Sequence, residues 1–158
     1  AQLNAGATPD GWRQGYRSIK FYPNPNEFAE HDRYQSNDVP IFRYADILLE
    51  KAEAILRGAN ATNGDTPQSL LNQIRAYVNA PLLDHAPSLK DILDERGREF
   101  FDENWRRNDM IRFGTFESEY GFHRKGFANA NFDKQHRVFP VPTSVMEENT
   151  NWKQNAGY

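Results

Sequence analysis

Cysteine is absent from the 158 residues, which rules out disulfides, thiolate metal ligands and a cysteine nucleophile. No apolar run approaches the roughly 18 residues that a transmembrane helix needs, and no signal-peptide pattern opens the chain. Positive charge is not in excess. Nineteen Lys and Arg against 22 Asp and Glu give a formal net charge of −3, so the electrostatic footprint of a nucleic-acid binder is missing. There is no G-x-S-x-G nucleophile elbow and no glycine-rich phosphate loop. His123 and His136 stand thirteen apart, without the short helical spacing of a zinc motif, and each reads as a lone surface histidine. No metal and no cofactor is expected. Aliphatic residues are sparse as well: mean hydropathy is −0.86 while aromatics reach 13%, so burial must rely heavily on rings. The length suits one domain, able to bury about two-thirds of its unfolded surface.

What is present is organised around residues 88–114. Ser88 can cap a helix there, with Asp91 reaching back to the capping N–H. At about 100° per residue, Leu89, Ile92, Leu93 and Phe100 share one face. Arg96 and Glu103 fall on that same apolar face, with Glu99 and Arg106 at its edge. Charged residues are almost never fully buried unless paired, so the helix is expected to carry a structural ion-pair cluster of Arg96, Glu99, Glu103, Arg106 and Asp109. Expected partners also include Asp46 and Glu53. Gly97 removes a side chain on that side and would let a neighbouring backbone come close. Beyond Asn104 the apolar phase is lost, which predicts a kink and a second short helix from Trp105 to Phe113, ended by Gly114.

The rest of the chain reads as follows. Residues 1–39 are irregular and rich in aromatics, broken by Pro, Gly and Asn. Trp12, Tyr16 and Tyr22 are the weak candidates for stacking on a sugar face, although packing of these rings onto the helical body is the favoured reading. Residues 40–114 form the helical core. Its first helix, 40–57, is entered at Pro40 and left at Gly58, with a stripe of Ile41, Phe42, Ala45, Leu48, Leu49, Ala52, Ile55 and Leu56. Asp46 and Glu53 lie seven apart along the edge of that stripe, placed to answer an arginine from another helix. Thr66 and Pro67 open the next helix, which carries Leu70, Leu71, Ile74, Tyr77 and Val78 at helical spacing until Pro81. Residues 115–158 are a loop, a short helix capped by Ser144 and Glu147, and a tail expected to pack back through Trp152 and Tyr158. The fold class is mostly α, a helical hairpin plus a kinked helix with long ordered loops.

The one dense carboxylate set, Asp94, Glu95, Glu99, Asp102 and Glu103, is interleaved with Arg96, Arg98, Arg106 and Arg107. Such interleaving lowers carboxylate pKa values, whereas a glycosidase acid needs a raised one. The chain is not expected to be an enzyme.

Three segments carry a resemblance to a known family. Glu95, Arg96, Glu99, Glu103, Arg106, Asp109, Arg112 and Gly114 match E-R-x-x-E-L-x-x-E-G-x-R-x-x-D-L-x-R-x-G, with Phe100 and Met110 for the leucines and Asn104 for the inner glycine. Residues 43–54 resemble R-Y-A-D-x-L-L-x-x-A-E-A. Phe139 to Pro142 and Gln154 to Tyr158 resemble F-P-I-P and Q-N-P-G-Y, with Ala156 for the usual proline. Together these resemble the C-terminal part of the SusD/RagB family of outer-membrane nutrient-binding lipoproteins. The resemblance implies a tetratricopeptide-like stack of hairpins. It also implies a non-catalytic role in capturing an oligosaccharide or polysaccharide (in some relatives a peptide) beside a SusC-like TonB-dependent transporter. On that resemblance the chain, which begins without Met, is a processed form or fragment. Its lipid anchor would lie upstream, on the extracellular face of the outer membrane, and an apolar helix face would be left uncovered. A pure protein-interaction scaffold is the alternative reading.

Overall fold

The computed structural model describes residues 20, 21, 24, 26, 27, 36–119 and 134–158. The chain divides into two compact units, Ala1–Ile41 and Phe42–Tyr158. In the first, Ser36 donates from both its backbone N–H and its hydroxyl to the Glu27 carboxylate.

The second unit is helical, and no strand occurs among the described residues. Helix α1 spans Tyr44–Leu56 and α2 spans Pro67–Tyr77. The second of these starts as its sequence predicts. The Thr66 side chain accepts from the Ser69 N–H, the Ser69 hydroxyl serves the Thr66 N–H in return, and Pro67 occupies the first turn. The two helices close a core of Leu48, Leu49 and Ala52 against Leu70, Leu71 and Ile74, joined by Ile92 and Phe100. Lys51 ties the pair by its bond to Asp65 at 2.5 Å.

Helix α1 begins four residues later than the apolar run suggests. Arg43 is extended (φ −131°, ψ 160°) and serves as the N-cap, so Ile41 and Phe42 stay outside the stripe, 72% and 69% exposed. The cause lies in the Arg43 side chain, which is drawn to two glutamates of the organising segment. Tyr77 and Val78 are likewise exposed, because the core side of α2 is spent on Leu70, Leu71 and Ile74.

Helix α3 spans Leu89–Glu99 and α4 spans Arg106–Phe113. The Ser88–Asp91 capping box forms. The break between α3 and α4 opens at Phe100, ahead of the expected position, and is a turn through Asp102 (φ 65°) and Asn104 (φ 64°). Asn104 thus occupies a left-handed position, where glycine is at ease and asparagine is among the few tolerated side chains. Gly114 (φ 76°) ends α4, and the one-turn helix α5, Phe116–Glu119, follows within a stretch read as loop. Leu93, Met110 and Phe116 form a second small core.

A 3₁₀ turn at Lys134–Arg137 leads to an irregular run over 138–142 and helix α6, Thr143–Glu148. The Ser144–Glu147 capping box does not form. Pro142 is the N-cap, and Ser144 already sits inside the helix. The tail does return to the body. Gln154 donates its amide to the Val141 carbonyl at 2.9 Å and accepts from the Val141 N–H at 2.8 Å. Asn155 donates to the Phe139 carbonyl, and the Tyr158 hydroxyl to that of Val138. The two halves of the terminal motif therefore hydrogen-bond to each other, while Trp152 and Tyr158 remain half exposed.

Candidate functional site

The charged residues of the organising segment build a network through three helices. Arg96 is fully buried at 1% exposure. It donates from Nη1 to Asp46 of α1 at 2.7 Å and from Nε to Asp109 of α4 at 2.8 Å. Asp109 accepts a further bond from Arg112 at 3.1 Å, and Arg112 also bonds Glu53, which Arg57 reaches at 2.7 Å. The network thus leaves α1 at Asp46 and returns to it two turns on at Glu53, with three carboxylates set against three guanidiniums. Seven residues advance a helix by about 10 Å, enough for one arginine from α3 and one from α4 to dock side by side. Oδ2 of Asp46 and Oε2 of Glu53 are buried without a hydrogen-bond partner, so each of these carboxylates pairs through a single oxygen. Burial pushes Glu53 up, but the bonds from Arg112 and Arg57 outweigh it and hold the carboxyl below its ordinary value.

A second knot lies one turn away. Arg43 donates from Nη1 to Glu99 at 2.7 Å, and from Nε and Nη2 to the two oxygens of Glu103 at 2.9 and 2.8 Å. This fork geometry is the strong form of the ion pair. Its hydrogen bond to Glu103 is the main cause that raises the Arg43 pKa. Both Arg43 and Arg96 lie near the Phe100 ring, 5.0 and 4.9 Å from its centroid, and Trp105 stacks obliquely on Phe100 and Phe42.

Three contacts were not foreseen from the residues. Arg43 as the partner of Glu103 is the first, although its place at the head of the R-Y-A-D pattern was a usable signal. Glu95 is the second: it is buried and shared between Arg75 of α2 at 2.7 Å and Arg98. Its position three residues after Ile92 put it on the apolar side. Third, Gly97 admits a side chain rather than a backbone. A Cβ there would meet Arg106 Nη1 at 2.8 Å, and that same nitrogen donates to the Leu93 carbonyl at 2.8 Å. Arg106 therefore bonds a carbonyl at the edge of the cluster instead of a carboxylate.

Chemically, the Glu53 carboxyl, held below its ordinary value by Arg112 and Arg57, is in the wrong environment for a general acid. Among the described residues no three His, Asp or Glu side chains are grouped to hold a metal, and no helix is long and apolar enough to cross a membrane. Concavities of ligand-sized dimensions among the described residues include one of about 650 Å³ beside Arg75, Pro81, Leu83 and Glu95, and two others. One, of about 740 Å³, sits at the α3–α4 elbow between Gly97, Arg98, Phe101, Asn104, Arg106 and Arg107. The other, about 310 Å³, is an apolar groove between α1 and α2, flanked by Tyr44 and Tyr77. Trp12, Tyr16 and Tyr22 lie outside the described residues, as does His123. His136 is partly buried, and its carbonyl accepts from Arg107 at 2.7 Å.

This architecture has relatives. The family model described as the SusD family matches residues 4–158. The starch-binding protein SusD of Bacteroides thetaiotaomicron is 31% identical over 153 residues, covering 94% of this chain and 27% of that protein. The chain thus spans about a quarter of the length of the curated relative it matches. The match runs through all three motif segments, whose residues meet in the ion-pair network and the tail latch just described, and the chain belongs to the SusD family.

Proposed function

We propose that this chain is part of a non-catalytic, cell-surface nutrient-binding protein that captures a glycan for uptake through a SusC-like TonB-dependent transporter. The observation that carries the proposal is family membership, together with the similarity to a starch-binding protein. The chemistry of the motif agrees. Arg96, Asp46 and Asp109 are spent on one another at 1–3% exposure, which supports reading the motif as an architectural core that leaves ligand capture to surfaces around it. In this reading the protein is lipid-anchored at the outer membrane by a residue outside this chain, on the extracellular face. Trp12, Tyr16 and Tyr22 are the first aromatic positions to substitute when locating sugar contacts.

The test is affinity electrophoresis and calorimetry of the full-length protein against starch and a panel of other polysaccharides, with a peptide pool in parallel. Glycan retention without release of reducing ends is the expected result. Binding of the peptide pool alone would assign the protein to the peptide-capturing relatives. No affinity for either class would leave the scaffold reading, and hydrolysis of any polysaccharide would overturn the non-catalytic one.

A further inference from the structure

The concavity at the α3–α4 elbow touches the buried ion-pair core only through Arg96. Its volume of about 740 Å³ lies within the range of about 300–1,000 Å³ typical of small-molecule clefts. It is lined on one side by Phe101, a ring left 59% exposed at the turn, and elsewhere by guanidinium groups, the Asn104 amide and the carboxylates of Asp94 and Asp102. An exposed ring beside planar donors is the chemistry that holds a pyranose: the ring covers the C–H face while the donors take the hydroxyls.

The charge of this cleft runs against that of the chain. Arg96 in its floor is neutralised by Asp46 and Asp109, and Asp94 at its margin by Lys90 at 2.9 Å. Arg98 shares the Glu95 carboxylate with Arg75, so one negative charge serves two positive ones. Arg106 and Arg107 spend their described hydrogen bonds on backbone carbonyls, those of Leu93, His136 and Arg137, which cancel no charge. Against them stands Asp102. The cleft is therefore locally positive in a chain of formal net charge −3. Gly97 contributes by absence: with no Cβ, it lets the Arg106 guanidinium lie against the α3 backbone and form the wall of the cleft.

From this geometry we infer that the elbow cleft is a subsite for an acidic saccharide, one bearing a carboxylate or sulfate group, with Phe101 as the stacking ring and Arg98, Arg106 and Arg107 facing the anionic substituent. The inference rests on the glycan-binding reading above and gives it a substrate class. A neutral glucan would leave the positive charge of the cleft unanswered, whereas an anionic sugar fills it with charge-assisted hydrogen bonds.

The experiment is calorimetry of the full-length protein with polygalacturonate, chondroitin sulfate and starch at low and at physiological ionic strength. Arg98→Ala and Phe101→Ala are the test variants, because both side chains are largely exposed and the buried Glu95 that Arg98 bonds keeps its bond to Arg75. Lys153→Ala, an exposed cation of the tail, is the control. Expected is binding of at least one acidic polysaccharide, weakened about tenfold or more by either test variant, weakened by salt, and unchanged in the control. Affinity for starch or another neutral glycan alone would overturn the inference while leaving the proposed function intact. Acidic-glycan binding that all three variants share equally would place the site elsewhere and overturn it too. Absence of affinity for any glycan would remove both.

Discussion

At the scale of single residues, position in the network decides the consequence of a substitution better than residue type. Arg96 and Arg98 are two residues apart on one helix. Arg96 is 1% exposed between two aspartates, while the Arg98 side chain is 58% exposed and shares its glutamate with Arg75. Removing one member of a buried pair strands its partner and costs about 3–5 kcal/mol, against about 0–1 kcal/mol for an exposed pair. In the full-length protein, Arg96→Ala should lower the denaturant midpoint severely and Arg98→Ala should leave it near the wild-type value. Equal midpoints for the two variants would remove the distinction on which the core is built. Glu53 carries the acid sensitivity. Its carboxyl titrates below the ordinary value of 4.5, so its contribution is complete above that pH and is lost as pH falls through the lower folded value. Asp91, held low by the Ser88 hydroxyl, adds in the same direction. Stability should therefore be level from neutrality to about pH 5 and fall below pH 4.5, and Glu53→Gln should flatten the acid limb in a series of denaturant melts.

At the scale of elements, the turns are where sequence and backbone are most tightly bound. Tyr158 N–H bonds the Asn155 carbonyl at 3.3 Å with Gly157 at φ 99°, the signature of a type II turn with Ala156 at its second position. Proline is favoured at that position, and the Q-N-P-G-Y pattern has it there. Ala156→Pro should stabilise the tail by about 0.4–1 kcal/mol through the unfolded chain, seen as a raised melting temperature. A lowered one would mean that the turn is of another type. At the α3–α4 elbow, Asn104 holds φ 64° where the family pattern has glycine. Asn104→Gly should be neutral or mildly stabilising, and Asn104→Ala should cost about 1 kcal/mol for forcing a Cβ into the left-handed region. Identical melts for the two variants would show that the turn relaxes instead of holding its angle.

At the scale of the whole chain, the outer face of the α1–α2 hairpin stands out. Tyr44, Ile47, Tyr77 and Val78 are all exposed on the hairpin, with Tyr77 at 90%, and Tyr44 and Tyr77 flank the 310 Å³ groove. Each hairpin of a stacked helical array buries its second face only against a neighbour. The isolated 158-residue chain should consequently associate, its apparent mass by light scattering rising across a tenfold concentration range. A sharply melting monomer over the whole range would show that the face tolerates water unaided.

The sequence by itself determined α2, α3 and α4, the caps at Thr66 and Ser88, the stop at Gly114, and the presence of charge on an apolar helix face. These are local matters of period and hydrogen bonding, written into residues three or four apart. It also carried the family, through three motifs whose order and spacing are visible without coordinates. What it could not hold was pairing across long separations. Arg43 finds Glu103 sixty residues on, Arg75 finds Glu95 from another helix, and Arg106 lies on Gly97 across the elbow. Those partners depend on how helices cross, which no periodicity encodes. The same holds for the entry to α1: the apolar run from Ile41 favours an earlier start, but the Arg43 fork to Glu99 and Glu103 holds the cap extended and leaves two large apolar side chains in water. Tertiary electrostatics overrode local pattern there, because a part-buried guanidinium hydrogen-bonded to two glutamates outweighs one more turn of helix.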